Sequence, residues 1–225
     1  MNVVKNQIKH LIFLAIVLWA IAFICNNYPV YLKGELWGVP TKTWLYIAII
    51  SPIVHQAYVF VYWYLELYHQ TITKTFGKAG FGYFKIGFEL LIISRPISVA
   101  LLAISNANTL DVYPVFSYLV AIILIIPSIY LFYSVKKYFG IDRAFGIDPF
   151  EPEKAKNYRS ITKGVYKYTA NGMYVYGFFI LWIIAILFRS KEALLLAAFN
   201  HLYIWVHYYY TEKPDMDYIY GKKDK

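Results

Sequence analysis

The sequence predicts an all-α, polytopic transmembrane helical bundle of about six spans with both termini cytoplasmic. Three observations predict it. Of 225 residues, 60% are hydrophobic and only 16% are charged, where a soluble domain carries about 25% charge. The charges are also missing from long runs: residues 10–32, 43–65, 112–135, 168–188 and 193–211 hold no Asp, Glu, Lys or Arg. About 20 apolar residues suffice to cross the hydrocarbon core. Finally, the 22 lysines and arginines divide unevenly between alternate connections. Only Lys33, Lys42, Arg189 and Lys191 fall on the far side; Arg95 lies within a span, and all the others share the side of the N-terminus. The positive-inside bias assigns that side to the cytoplasm.

Residues 1–225 read as a single integral membrane domain, with four spans in 1–135 and a cytoplasmic connection, a helical hairpin and a tail in 136–225. The first run, 10–32, reads as a retained span, because no cleavage site follows it. It contains the single cysteine, Cys25, which lacks the small preceding residue of a lipoprotein site and reads as a small buried apolar group. A turn-rich loop over 26–42 leads to the second span. That span leaves through Glu66 into 70–82, where Gly77, Gly80 and Gly82 mark a loop. The third span, about 84–106, is apolar but carries Glu89 and Arg95. Pro96 and Pro127, in the third and fourth spans, are expected to kink them. The connection over 136–169 contains the tetrapeptide FGID twice, at 139–142 and 145–148, too short for a structural repeat; its tyrosines and basic residues suit the interface. The fifth apolar stretch, 173–188, extends roughly 24 Å at about 1.5 Å per residue, short of a core of about 30 Å. With the sixth, after a turn at 189–192, it reads as a tight hairpin.

Several function classes drop out. There is no G-x-G-x-x-G and no phosphate-binding G-x-x-x-x-G-K-[ST] motif, so helices and their connections must hold any nucleotide-like cofactor. One cysteine supports neither a disulfide framework nor a thiolate metal site. His55, His69 and Glu66 match no ligand spacing, so no metal is expected. The formal charge of +9 concentrates on the cytoplasmic face, where each basic group is attracted to anionic lipid by about 1 kcal/mol; it does not argue for nucleic acid. Charge inside a membrane is costly and usually functional, which singles out Glu66, Glu89 and Arg95. Glu89 and Arg95 are expected to bind substrate, Arg95 through an acceptor phosphate.

The cytoplasmic ends of the hairpin carry the remaining chemistry. Gly164-Val-Tyr-Lys-Tyr-Thr-Ala-Asn171-Gly-Met-Tyr174 resembles the start of the penultimate helix in the membrane methyltransferases, the phosphatidylethanolamine N-methyltransferases and the isoprenylcysteine carboxyl methyltransferases. Glu212-Lys-Pro214-Asp-Met216-Asp-Tyr-Ile219-Tyr220-Gly221 resembles the E-x-P … I-Y segment after the last helix of the phospholipid enzymes. The resemblance is best over 139–221. It implies S-adenosylmethionine as methyl donor, held at the cytosolic end of the last helices. By position, Asn171 and Tyr174 would line the donor pocket, Glu212 would bind the donor and Tyr220 would sit in the closing tail. Carboxylate and aromatic faces such as Tyr166, Tyr174 and Tyr208 suit a sulfonium and an ammonium. His207 is a candidate base for an amine acceptor, with Glu212 beside it as the second candidate catalytic group. The chain departs from the phospholipid pattern at Gly172, where proline is usual, at Lys213, where a second acid is usual, and in the fourth span, which lacks the glycine pair. These departures bear on the acceptor more than on the donor.

Plainer roles stand beside these. Tyr174 fits an interface belt, Asn171 a helix N-cap, Glu212 a solvated interfacial carboxylate, and His201, Asn200 and His207 interhelical hydrogen bonding. The expected function is a methyltransferase for a lipid-borne acceptor, first a phospholipid amine, second a prenylated cysteine carboxylate or other small lipophile. A transporter or non-enzymatic scaffold is the alternative of another class. The expected partners are a membrane lipid and the bilayer. The expected location is multi-pass integral membrane, endoplasmic reticulum if eukaryotic and inner membrane if bacterial; Lys222-Lys223-Asp224-Lys225 resembles a dilysine retrieval signal.

Overall fold

A computed structural model describes residues 3–158 and 160–221; the dilysine motif lies outside the described residues. Of the described residues, 80% are helical. Helix α1 (Val3–Asn27) runs through a 3-10 turn, Pro29–Leu32, into a minimal hairpin, β1 (Glu35–Leu36) and β2 (Val39–Pro40). Its corner residues Trp37 and Gly38 take φ of 55° and 74°, the positive values that match the twist of a two-residue hairpin loop. α2 (Thr41–His69), α3 (Thr71–Phe76), α4 (Gly80–Ser105) and α5 (Pro114–Ser134) follow. A π-helical turn, Val135–Phe139, extends α5. The connection holds two single-turn helices, α6 (Ile141–Ala144) and α7 (Pro152–Ala155), and the hairpin consists of α8 (Gly172–Tyr176), α9 (Phe179–Leu187) and α10 (Lys191–His207). A second π turn, Tyr208–Glu212, joins α10 to α11 (Lys213–Tyr220).

Among the described residues, four helices are long and apolar enough to cross a membrane: Lys5–Asn27, Thr41–His69, Thr71–Ser105 and Pro114–Phe139. Pro52, Pro96 and Pro127 all stay within their helices. α4 is central and packs on α2, α9 and α10, while α5 packs on α9 and α1 on α10. Ala48, Ala103, Ala185, Ala193 and Ala197 are fully buried at these contacts; small residues let membrane helices approach closely. Leu11, Ile16 and Trp19 on α1 and Ile123, Ile126 and Ile129 on α5 face outward. A water-exposed apolar face of that extent is rare on a monomer, whereas acyl chains cover it naturally.

Glu66 has a structural task at the start of α3. Its carboxylate accepts the Thr73 backbone N–H at 2.9 Å and also the Thr73 hydroxyl. It thereby satisfies the otherwise unpartnered first turn of α3. The two FGID copies also diverge. Asp142 pairs with Lys85 at 2.8 Å, whereas Asp148 turns inward and accepts the Tyr220 hydroxyl. Gly146, in the second copy, has φ of 84° and lies so close to Trp63 that a Cβ there would stand 2.7 Å from the indole.

Candidate active site

The second π turn, Tyr208–Glu212, shapes the site. An i→i+5 turn carries residues five apart onto one face, and such turns recur at functional sites. Tyr208–Glu212 does this for His207 and Glu212, whose Nε2 and Oε1 stand 3.5 Å apart. On a regular α-helix these side chains would diverge. α1 braces the turn, since Gln7 donates to the Thr211 hydroxyl at 3.1 Å and to the Tyr210 carbonyl at 3.4 Å.

Glu212 accepts a hydrogen bond from the Tyr174 hydroxyl, across from α8. The Tyr174 ring lies 5.0 Å from that of Tyr208 and 5.7 Å from that of Trp205, and Trp205 and Tyr208 are 5.8 Å apart. Three aromatic faces thus cluster beside one carboxylate. Glu212 is the first residue beyond the last charge-free run, and burial pushes its carboxyl up to about 7, with the Tyr174 hydrogen bond opposing. His207 stands behind it, 1% exposed in its side chain.

The rest of the site closes from the connection and the tail. Gly164 adopts φ of 62° and its Cα packs against Ser134, which a Cβ would meet at 2.5 Å. The Ser134 hydroxyl accepts the Val165 N–H at 3.0 Å. This close approach seats Tyr166, whose ring stacks on Phe139 at 5.2 Å. Burial raises its phenol to about 12, and its hydroxyl lacks a hydrogen-bond partner among the described residues. Arg143 sits over the same Phe139 ring at 4.7 Å and reaches Asp148 at 4.0 Å. Tyr220 therefore docks the end of α11 on the connection through Asp148. Tyr68 docks its start, donating to Asp215 at 2.7 Å. Asn171 stands at the N-cap of α8, but its side chain makes no cap hydrogen bond. At Gly172 a Cβ would lie 2.9 Å from Val165, so a proline there would need Val165 to move.

Beneath Glu212 the helices enclose a polar layer. His10 lies 5.9 Å from His207 and 5.3 Å from Tyr203, ring to ring. His55, Gln56 and Asn200 are buried nearby in the bundle. Arg95 belongs to this layer: it is 2% exposed, donates to the Pro52 carbonyl at 3.4 Å and lies over the Phe178 ring at 5.6 Å. Its Nε and Nη1 have no partner among the described residues. Glu89 is not brought to Arg95; it is half-buried farther along α4. The structure thus gathers Tyr174, His207 and Glu212, sets Tyr166, Tyr220 and Arg95 around them, and leaves Glu89 apart. Sequence reasoning passed over Asp148, Arg143, Trp205 and Gln7. The repeated FGID was the one available signal, for Asp148.

The sequence model of the phospholipid methyltransferase family matches residues 116–223. The match bears out the resemblance read from the hairpin and tail, and it includes every residue of the carboxylate–aromatic cluster. It points to a methyltransferase acting on a lipid-type substrate. No curated protein and no solved structure matches the chain.

Proposed function

We propose, taking residues 116–223 as a phospholipid methyltransferase segment, that the protein transfers a methyl group from S-adenosylmethionine to the amine of a membrane phospholipid. The carrying observation is the largely enclosed Glu212 carboxylate, hydrogen-bonded by Tyr174, whose ring is adjoined by those of Trp205 and Tyr208. A cation within about 6 Å of such ring faces is stabilised, more so once desolvated. A carboxylate with three rings is the donor set that suits a sulfonium with an ammonium. When bound, S-adenosylmethionine supplies a methyl group activated towards a nucleophile.

The remaining work falls to the chain. Glu212 neutralises the cation, and Tyr174 holds its carboxylate in place. Tyr166, Asn171 and Tyr220 form the wall on the side of the connection. Glu212 receives the acceptor's proton, and His207, 3.5 Å behind it, orients the carboxylate. Arg95 is a positioning residue, a fixed positive charge beneath the carboxylate. Glu89, half-buried on α4 and apart from this cluster, has no assigned part in the transfer. Orientation of two reactants is worth up to about 7–11 kcal/mol in the best intramolecular models, so a site that mainly positions is adequate to this reaction.

The test is binding of S-adenosylmethionine to detergent-purified protein, followed by an acceptor screen of phosphatidylethanolamine against a prenylated cysteine. Saturable binding that disappears in Glu212→Ala is expected, with methylation of the amine lipid. Folded wild-type protein that binds no donor, with or without phospholipid, sinks the proposal.

A further inference from the structure

A second polar recess lies at the opposite end of the bundle. α10 separates the two, and its 17 residues span about 25 Å at 1.5 Å per residue. The recess has a volume of about 220 Å³, and Asn108, Pro114, Ser117, Tyr118, Phe188 and Arg189 line it. That volume is below the roughly 300–1,000 Å³ of a pocket for a drug-sized molecule, yet it exceeds several times the ~30 Å³ share of one water. It is headgroup-sized.

Three features there favour an anion. Arg189 donates Nη1 to the Val112 carbonyl at 3.3 Å and Nη2 to the Asn108 side chain. A guanidinium has five N–H groups, so three remain after these two bonds, in the fork geometry that suits phosphate. Ser117 is 2% exposed, lines the recess, and its hydroxyl has no partner among the described residues. A buried hydroxyl without a partner is costly and points to a ligand. The recess also opens on the first turn of α5, a 21-residue helix whose N-terminal end carries partial positive charge. Beside it Tyr113, Val115, Phe116 and Leu119 are exposed apolar residues, a track for acyl chains.

We propose that this recess is a binding site for the phosphate of a phospholipid headgroup, separate from the site at Glu212. The phosphate sits between the Arg189 fork and the Ser117 hydroxyl, and the acyl chains lie along α5. The lipid staples the α4–α5 loop to the turn of the hairpin.

Native mass spectrometry of delipidated protein titrated with phosphatidylglycerol tests this. That lipid has no amine, so the result does not depend on the methyl-transfer reading. Ser117→Val removes the hydroxyl without touching the loop, and Arg189→Gln removes the charge. Each is expected to weaken the first lipid bound by about tenfold or more, with the melting temperature of the lipid-free protein kept in Ser117→Val. Diacylglycerol with the same chains is expected not to bind there. Displacement by inorganic phosphate would identify free phosphate as a second source of the same ligand chemistry; no displacement assigns the site to lipid alone. Equal phosphatidylglycerol affinity in wild type and Ser117→Val, or equal affinity for diacylglycerol, overturns the proposal.

Discussion

Glu212 combines two demands that pull in opposite directions. Burial favours its neutral form and lifts it to about 7, while the Tyr174 hydrogen bond favours the carboxylate. A bound cation adds to the second side, so binding and ionisation are linked. Below about pH 7 the free protein holds a proton on Glu212 that the cation must expel. Affinity for S-adenosylmethionine is therefore expected to rise with pH, up to about tenfold per unit below 7, and to level off above it. Titration calorimetry at pH 6, 7 and 8, in buffers of different ionisation enthalpy, reads both the affinity and the proton released. Glu212→Gln should bind weakly with no such slope. Tyr174→Phe removes one donor to the carboxylate, worth about 1 kcal/mol or roughly fivefold in affinity. It should also shift the rise to higher pH. A Glu212→Gln protein with the wild-type slope would place the titrating group elsewhere.

At the scale of elements, α11 is held by titratable contacts at both ends. It docks at one end through Tyr68 and Asp215 and at the other through Tyr220 and Asp148. Burial raises Asp215 to about 6 and raises Asp148 in the same direction. An unfolded aspartate titrates near 3.9, so between about pH 4 and 6 the docked helix holds a proton that the released segment does not. Docking is then strongest at low pH and weakens as pH rises through 6. Hydrogen exchange of the 213–220 amides, corrected for intrinsic rates, should show more protection at pH 5 than at pH 7. Asp215→Asn should remove most of that difference. Tyr68→Phe takes away the donor that opposes the shift, so it should extend the window upward. Equal corrected protection at both pH values would mean that Asp215 titrates as a solvated group. None of these pairings was legible in the sequence. Tyr68 and Asp215 are 147 residues apart, Asp148 and Tyr220 are 72 apart, and Gln7 and Thr211 are 204 apart; only packing decides that they meet. The face shared by Tyr174, His207 and Glu212 was legible, because local spacing and the ends of charge-free runs set it. The π turn that perfects this face has no residue signature of its own.

For the whole molecule, hydropathy disclosed the helices because long apolar runs are fixed locally. It did not disclose Asn106, which ties the far ends of the helices together. Its amide donates to the carbonyls of Val30, Tyr31 and Lys33 at 2.7 to 3.3 Å. Its Oδ1 accepts from Thr109 at 2.8 Å, from the Ser190 hydroxyl at 3.0 Å and from the Glu192 N–H at 3.2 Å. One buried side chain thus joins the α1–α2 loop, the α4–α5 loop and the turn of the hairpin. Leu110 N–H to Arg189 carbonyl, at 2.8 Å, adds a backbone bond between the last two. Short as α9 is, this arrangement supports the hairpin reaching the same membrane face as the other two loops, and hence six crossings. Cys25 is the single cysteine and is buried, so introduced cysteines can be read against a silent background. In sealed vesicles an impermeant maleimide should label Glu35→Cys, Asp111→Cys and Lys191→Cys from one side, and Lys78→Cys and Lys154→Cys from the other. If Lys191→Cys reacts from the side of Lys154→Cys while Asp111→Cys does not, the hairpin fails to cross, and its bonds to Asn106 cannot form in the membrane.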